Sequence, residues 1–136
     1  MATRHHARMA VVSLLYAYDL GNGNTSKHAQ EILEEKKIRN KQKDFALSLY
    51  DGVMENIEAC DKAIEEHLKE WDFERLGTIE RATLRLATYE ILFGELDSAV
   101  VINEAVEITK AFGTEQSPKF INGVLDAISK DKSKKQ

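Results

Sequence analysis

A single cysteine cannot form an internal disulfide, and Cys60 has no second thiol with which to share a zinc ion. That scarcity fits a reducing, cytoplasmic setting. It leaves Cys60 its ordinary reading as a small buried helix residue. One proline and seven glycines in 136 residues leave long helices uninterrupted and supply too few turns for a many-stranded β fold. No apolar run approaches the ~18 residues of a membrane span. The apolar stretch Met9–Tyr18 runs on into Asp19 without a small-residue cleavage site, so no signal peptide is expected either. What is present, 43% apolar and 31% charged residues, suits one compact helical domain or two small helical subdomains sharing a core.

Acids are also missing from the start of the chain. None precedes Asp19, while Arg4, His5, His6 and Arg8 crowd together there. Residues 55–75 are strongly acidic, with Lys62, Lys69 and Arg75 as their only bases, and the end from Lys130 to Lys135 is basic again. The net charge of −4 therefore conceals a chain with basic ends and an acidic middle, and the distribution says more about partners than the sum.

The periodicity predicts helices throughout. Ala7, Ala10, Leu14 and Tyr18 mark a first helix over 3–20, stopped by Gly21-Asn22-Gly23-Asn24. Thr25 or Ser26 caps a second helix near 26–36, and Lys36 to Lys41 forms a polar linker. Phe45, Leu49, Val53, Ile57, Cys60 and Ile64 form one stripe, which predicts a single long helix from about 41 to 69. A short turn at 71–75, opened by Trp71-Asp72-Phe73, leads to a helix over 79–94. That helix is apolar nearly all round and so central to a bundle, with Glu80, Arg81 and Arg85 reaching outward near its start. Asp97 or Ser98 caps a helix that Gly113 closes, and Ser117-Pro118 opens the last helix, which fades near 130 into a disordered basic tail, 131–136. There is no internal repeat.

Arg4 and Arg8 stand four apart and share a helix face, from which two guanidiniums can fork onto successive phosphates. Cations at a helix N-terminus oppose its dipole, which points to an anionic partner, although a charge run is equally a solvated face. Adjacent His5 and His6 project about 100° apart and are poorly placed to chelate one ion. Glu65, Glu66, Glu104 and Glu107 read as ordinary helix-surface acids. Without a Ser–His or Cys–His pair, an HExxH motif or a Gly-rich phosphate loop, no enzyme, cofactor or metal site is expected. Phe120, beside Lys119 at a helix N-terminus, reads either as core or as a platform on which an unpaired base stacks.

The order of these segments resembles the NusB family of bacterial transcription antitermination factors. The resemblance rests on Ala7-Arg8-Met9-Ala10 with Leu14-Leu15-Tyr16, on Ile79-Glu80-Arg81-Ala82 through Tyr89-Glu90, and on Val101-Ile102-Asn103-Glu104-Ala105-Val106-Glu107. It is completed by Lys110-Ala111-Phe112-Gly113 and Ser117-Pro118-Lys119-Phe120-Ile121-Asn122-Gly123-Val124-Leu125-Asp126. It implies an all-α fold of two small helical bundles packed roughly perpendicular, about seven helices in all, divided near residue 70. It also implies an RNA-binding protein that pairs with the ribosomal protein NusE on single-stranded boxA RNA of ribosomal RNA leaders. The pair joins RNA polymerase with other Nus factors. The family's arginine-rich first helix maps to Arg4, His5, His6 and Arg8, with histidine at two places where many members carry arginine. The resemblance assigns Tyr16, Lys119, Phe120 and Asn122 to the RNA surface, and Glu80 and Arg81 to the partner. Two other readings are a helical domain of a ribosomal RNA methyltransferase, for which the chain leaves no room after its last helix, and a protein-interaction module or homodimer.

Overall fold

The computed structural model describes residues 3–21, 24–68, 73–112 and 117–134. Among them are seven α-helices and one short 3-10 turn, with no strand. These are α1 (Arg4–Asp19), α2 (Thr25–Glu35), α3 (Asn40–Glu55), α4 (Ile57–Glu66), the turn Phe73–Arg75, α5 (Thr78–Phe93), α6 (Ser98–Phe112) and α7 (Ser117–Lys134). The expected roles of Asn22, Gly23, Lys69, Trp71, Asp72, Gly113 and the final two residues lie outside the described residues.

The apolar stripe of α5 explains its position. It touches α1, α3 and α4 on one side and α6 and α7 on the other, and it contributes to both apolar clusters. Ala82 and Leu86 join Val11, Leu14, Leu15, Leu33, Tyr50 and Val53. Leu84, Ala87 and Ile91 join Ile64, Ile121, Leu125 and Ile128. Each fully buried Leu or Ile contributes about 1.5–3 kcal/mol, so a helix that feeds both clusters couples them. Gly52 lets α3 come close to it, since a Cβ there would collide with the Tyr89 ring.

Three expectations need correction. The single helix over 41–69 is two helices, because Asn56 breaks the run. Its backbone leaves the helical region at φ −117°, and its side-chain Nδ2 donates at 2.9 Å to the Gly52 carbonyl, which also accepts from the Asn56 amide. Arg81 and Arg85 do not reach outward but turn in to acids of α1 and α4, as described below. The tail from residue 131 is helical as far as Lys134: Asp131 lies 3.6 Å from His67, and the Lys132 ammonium donates to the Ile91 carbonyl, so tertiary contacts fix the extra turn.

Between α2 and α3 the linker turns without glycine. The Ile38 amide donates to the Leu33 carbonyl and the Lys37 amide to the Glu34 carbonyl, which together form a Schellman motif. Its left-handed position is Lys37, at φ +62°. Buried Ile38 and Leu33 supply the apolar contact that accompanies such a cap.

Candidate nucleic-acid interface

The first turn of α1 carries the chain's N-terminal cations, and the fold gives each a different environment. Thr3 caps the helix: its hydroxyl accepts from the His6 amide at 3.2 Å, and its own amide donates to His6 Nδ1 at 3.1 Å. This reciprocal box satisfies two end groups that no acid is present to cover. Nδ1 of the His6 ring is thereby occupied within the cap. His5 Nδ1 lies 2.7 Å from the Glu104 carboxylate of α6.

Arg8 departs furthest from the sequence expectation. Its residue is only 4% exposed. Its Nε donates to Glu90 Oε2 at 3.0 Å and its Nη2 to Glu90 Oε1 at 2.9 Å, a forked pair buried between α1 and α5. The acid that answers Arg8 is therefore supplied from within the protein, and the Nε–Nη2 edge of its guanidinium is taken. Arg4 is exposed and has no ion pair among the described residues. The Phe45 ring of α3 lies under both arginines, 4.7 Å from the Arg4 guanidinium carbon and 5.1 Å from that of Arg8. The expectation that these two side chains share a face holds. Of the pair, Arg4 alone presents its charge, braced on an aromatic ring by a cation–π contact worth about 0.5–1 kcal/mol at an exposed site.

At the opposite end of α1, the arginines of α5 are consumed by structure. Arg81 Nη1 donates to Asp19 Oδ2 at 2.9 Å, and its Nη2 reaches the carbonyls of Phe73, Glu74 and Leu76 at 3.2 Å each. Arg85, 8% exposed, forks onto Asp61 at 2.8 and 2.9 Å and reaches Asp19 at 3.3 Å. Burial works against the Arg85 charge, but the Asp61 and Asp19 carboxylates more than offset it and hold the guanidinium above its usual range. Both guanidiniums also lie over the Phe73 ring. Arg81 is thus a structural tie between α1, α5 and the 3-10 turn.

The first turn of α7 is set by Ser117, whose hydroxyl donates to Glu80 Oε1 at 2.5 Å across to the start of α5. Lys119 and Asn122 are exposed. Phe120 is half-buried and packs against the second apolar cluster. Glu80 is half-buried, and Tyr16, near the end of α1, is 37% exposed. The structure thus places Arg4, His5, His6, Tyr16, Lys119, Phe120 and Asn122 at or near the surface, while Arg8 is buried and Arg81 half-buried, both in ion pairs. Sequence reasoning missed Phe45, Glu90, Asp19 and Asp61, whose roles depend on residues tens of positions away. The one local signal was that Asp19 is the first acid after a run of unanswered bases.

The NusB family profile matches residues 5–130. A transcription antitermination protein NusB from Sulfurimonas denitrificans is 86% identical over 132 residues, spanning 97% of this chain and 100% of that protein. One from Helicobacter pylori (strain Shi470) is 51% identical over 135 residues, spanning 99% of this chain and 98% of that protein. Among solved structures, T. maritima NusB matches with a TM-score of 0.87 at 38% identity, over 96% of this chain and 92% of that one. A chain from a crystal structure of the antitermination factors NusB and NusE in complex with dsRNA matches with a TM-score of 0.86 at 37% identity, over 94% of this chain and 96% of that one.

Proposed function

This chain belongs to the NusB family, and from that premise we propose that it is a non-enzymatic, cytoplasmic antitermination factor. It binds single-stranded boxA RNA of ribosomal RNA leaders jointly with the ribosomal protein NusE, and the complex acts on RNA polymerase with other Nus factors. The observation that carries the reading is the match over 94% of the chain to a chain from a structure of NusB and NusE in complex with dsRNA. Arg4 supplies the phosphate-binding cation of α1, with His5 beside it. Lys119, Phe120 and Asn122 supply a stacking and backbone-binding group on the first turns of α7. Tyr16 and Glu80 stand where RNA and NusE meet. With so few unpaired cations on this surface, the isolated chain binds RNA modestly, and NusE raises the affinity by enlarging the charged and stacking surface.

The test is fluorescence anisotropy of a labelled boxA RNA titrated with the protein, alone and with NusE. NusE is expected to tighten binding, and Phe120→Ala to weaken it by about 1 kcal/mol or more, the scale of one base stacked on an aromatic ring. Equal affinity with and without NusE would overturn the proposal.

A further inference from the structure

Beside α1, a shallow cleft of about 370 Å³ opens between the linker after α2 and the end of α6. Its floor is apolar, with Met9 and buried Ile38, and its rim carries His6, Lys36, Lys37 and Phe112. Three features set it apart from ordinary helix surface. Phe112 is 43% exposed at the cleft rim, while Ile108 one turn earlier is in the core. Lys36 and Lys37 are exposed and form no ion pair with any described residue, in a chain whose net charge is −4. Lys37 sits at φ +62°, where glycine is the usual occupant of a Schellman turn. The turn holds a lysine at the cleft rim in a backbone conformation that a side chain rarely adopts, a kind of strain found disproportionately at binding sites.

An exposed aromatic ring, two unpaired ammonium groups and an apolar floor form the combination that binds a single-stranded nucleotide: the ring takes the base face and the lysines take the flanking phosphates. His6 is common to this cleft and to the first turn of α1 that carries Arg4, so one strand can run from one to the other. We propose that the Phe112–Lys36–Lys37 cleft is an additional nucleotide-binding subsite, extending the RNA path from the N-terminal turn of α1 onto the α2–α3 linker. This rests on the RNA-binding reading above. It gives the linker between α2 and α3 a direct role in binding.

The experiment uses the full chain with NusE and labelled boxA RNA across a salt series. It compares wild type with Phe112→Ala, Phe112→Trp and the double variant Lys36→Gln/Lys37→Gln. All three positions are exposed, so each variant is expected to fold, which circular dichroism checks. Phe112→Ala should weaken binding about fivefold to a hundredfold, and Phe112→Trp should retain it, with its indole fluorescence quenched on RNA addition. The double lysine variant should lower the slope of log affinity against log salt by about 1.4, at about 0.7 for each single-strand phosphate no longer neutralised. A change in slope distinguishes phosphate binding from an indirect structural effect. Wild-type binding with unaltered variants overturns the cleft alone. So does an effect confined to NusE affinity, which would make the cleft a protein-binding surface. Failure of the wild type to bind RNA with or without NusE overturns the family-based reading and the cleft with it.

Discussion

Two pairs of arginines stand four residues apart in this chain, Arg4/Arg8 on α1 and Arg81/Arg85 on α5, and they meet opposite fates. Each pair shares a helix face and lies over one phenylalanine, Phe45 or Phe73. On α5 both guanidiniums are bound, by Asp19, Asp61 and the carbonyls of the 3-10 turn. On α1 only the inner one is, by Glu90, and the outer one keeps its charge for solvent or a ligand. Spacing decides that two cations point the same way. Acids brought in from other helices decide whether they hold the protein together or remain available. Removing one partner of a buried pair leaves the other charge stranded and costs about 3–5 kcal/mol, whereas truncating an exposed side chain shifts stability by about 0.5 kcal/mol or less.

The contrast can be broken at its strongest point first. Arg85→Ala strands Asp61 and leaves Asp19 to Arg81 alone, and should lower unfolding free energy by about 3–5 kcal/mol, read from the urea midpoint. Arg8→Ala strands Glu90 alone and should cost about 3 kcal/mol in the same experiment. A loss under about 1 kcal/mol in either variant would mean that the acids are solvated rather than buried. Arg4→Ala, on the same face as Arg8, should leave the urea midpoint within about 0.5 kcal/mol of wild type. The smallest effect near neutral pH concerns Cys60, which neighbours Asp61. Burial, and then the Asp61 charge, push its thiol up from 9.0 to about 12, against a smaller opposing effect of Arg85. A native thiol so placed should resist alkylation at about pH 8 and react only after unfolding. Since the folded state keeps its proton where the unfolded state has lost it, the stability linked to Cys60 is fully present below about pH 9 and declines as pH rises toward about 12. The stability advantage of wild type over Cys60→Ala should therefore narrow in that window, and a constant difference would contradict the assignment.

Much of the fold was legible because periodicity is local. The stripes that predict α1, α5 and α6 need only their own residues, and the all-round apolarity of α5 correctly marked the helix on which the others pack. The break at Asn56 was hidden because Val53, Ile57, Cys60 and Ile64 keep helical spacing straight across it, while the departure is confined to the backbone of one residue. The turn after α2 was read only as a polar linker because its left-handed position carries lysine, which gives no signal in a sequence. The last turn of α7 depends on contacts with His67 and Ile91, far away in the chain. The site divides the same way. Exposure of Lys119 and Asn122 follows from their place on an amphipathic helix, but the withdrawal of Arg8 depends on Glu90, 82 residues away.

The most direct test sets Arg4→Ala beside Arg8→Ala in one assay, measuring boxA RNA affinity in the presence of NusE under conditions where both variants are folded. The account predicts that Arg4→Ala loses about fivefold or more in affinity, the scale of one charge-assisted hydrogen bond to phosphate. Folded Arg8→Ala, although less stable, should bind nearly as wild type. The reverse result, with Arg4→Ala binding normally and folded Arg8→Ala losing RNA, would mean that Arg8 leaves Glu90 to meet the phosphate, and would contradict the division between binding and structural arginines.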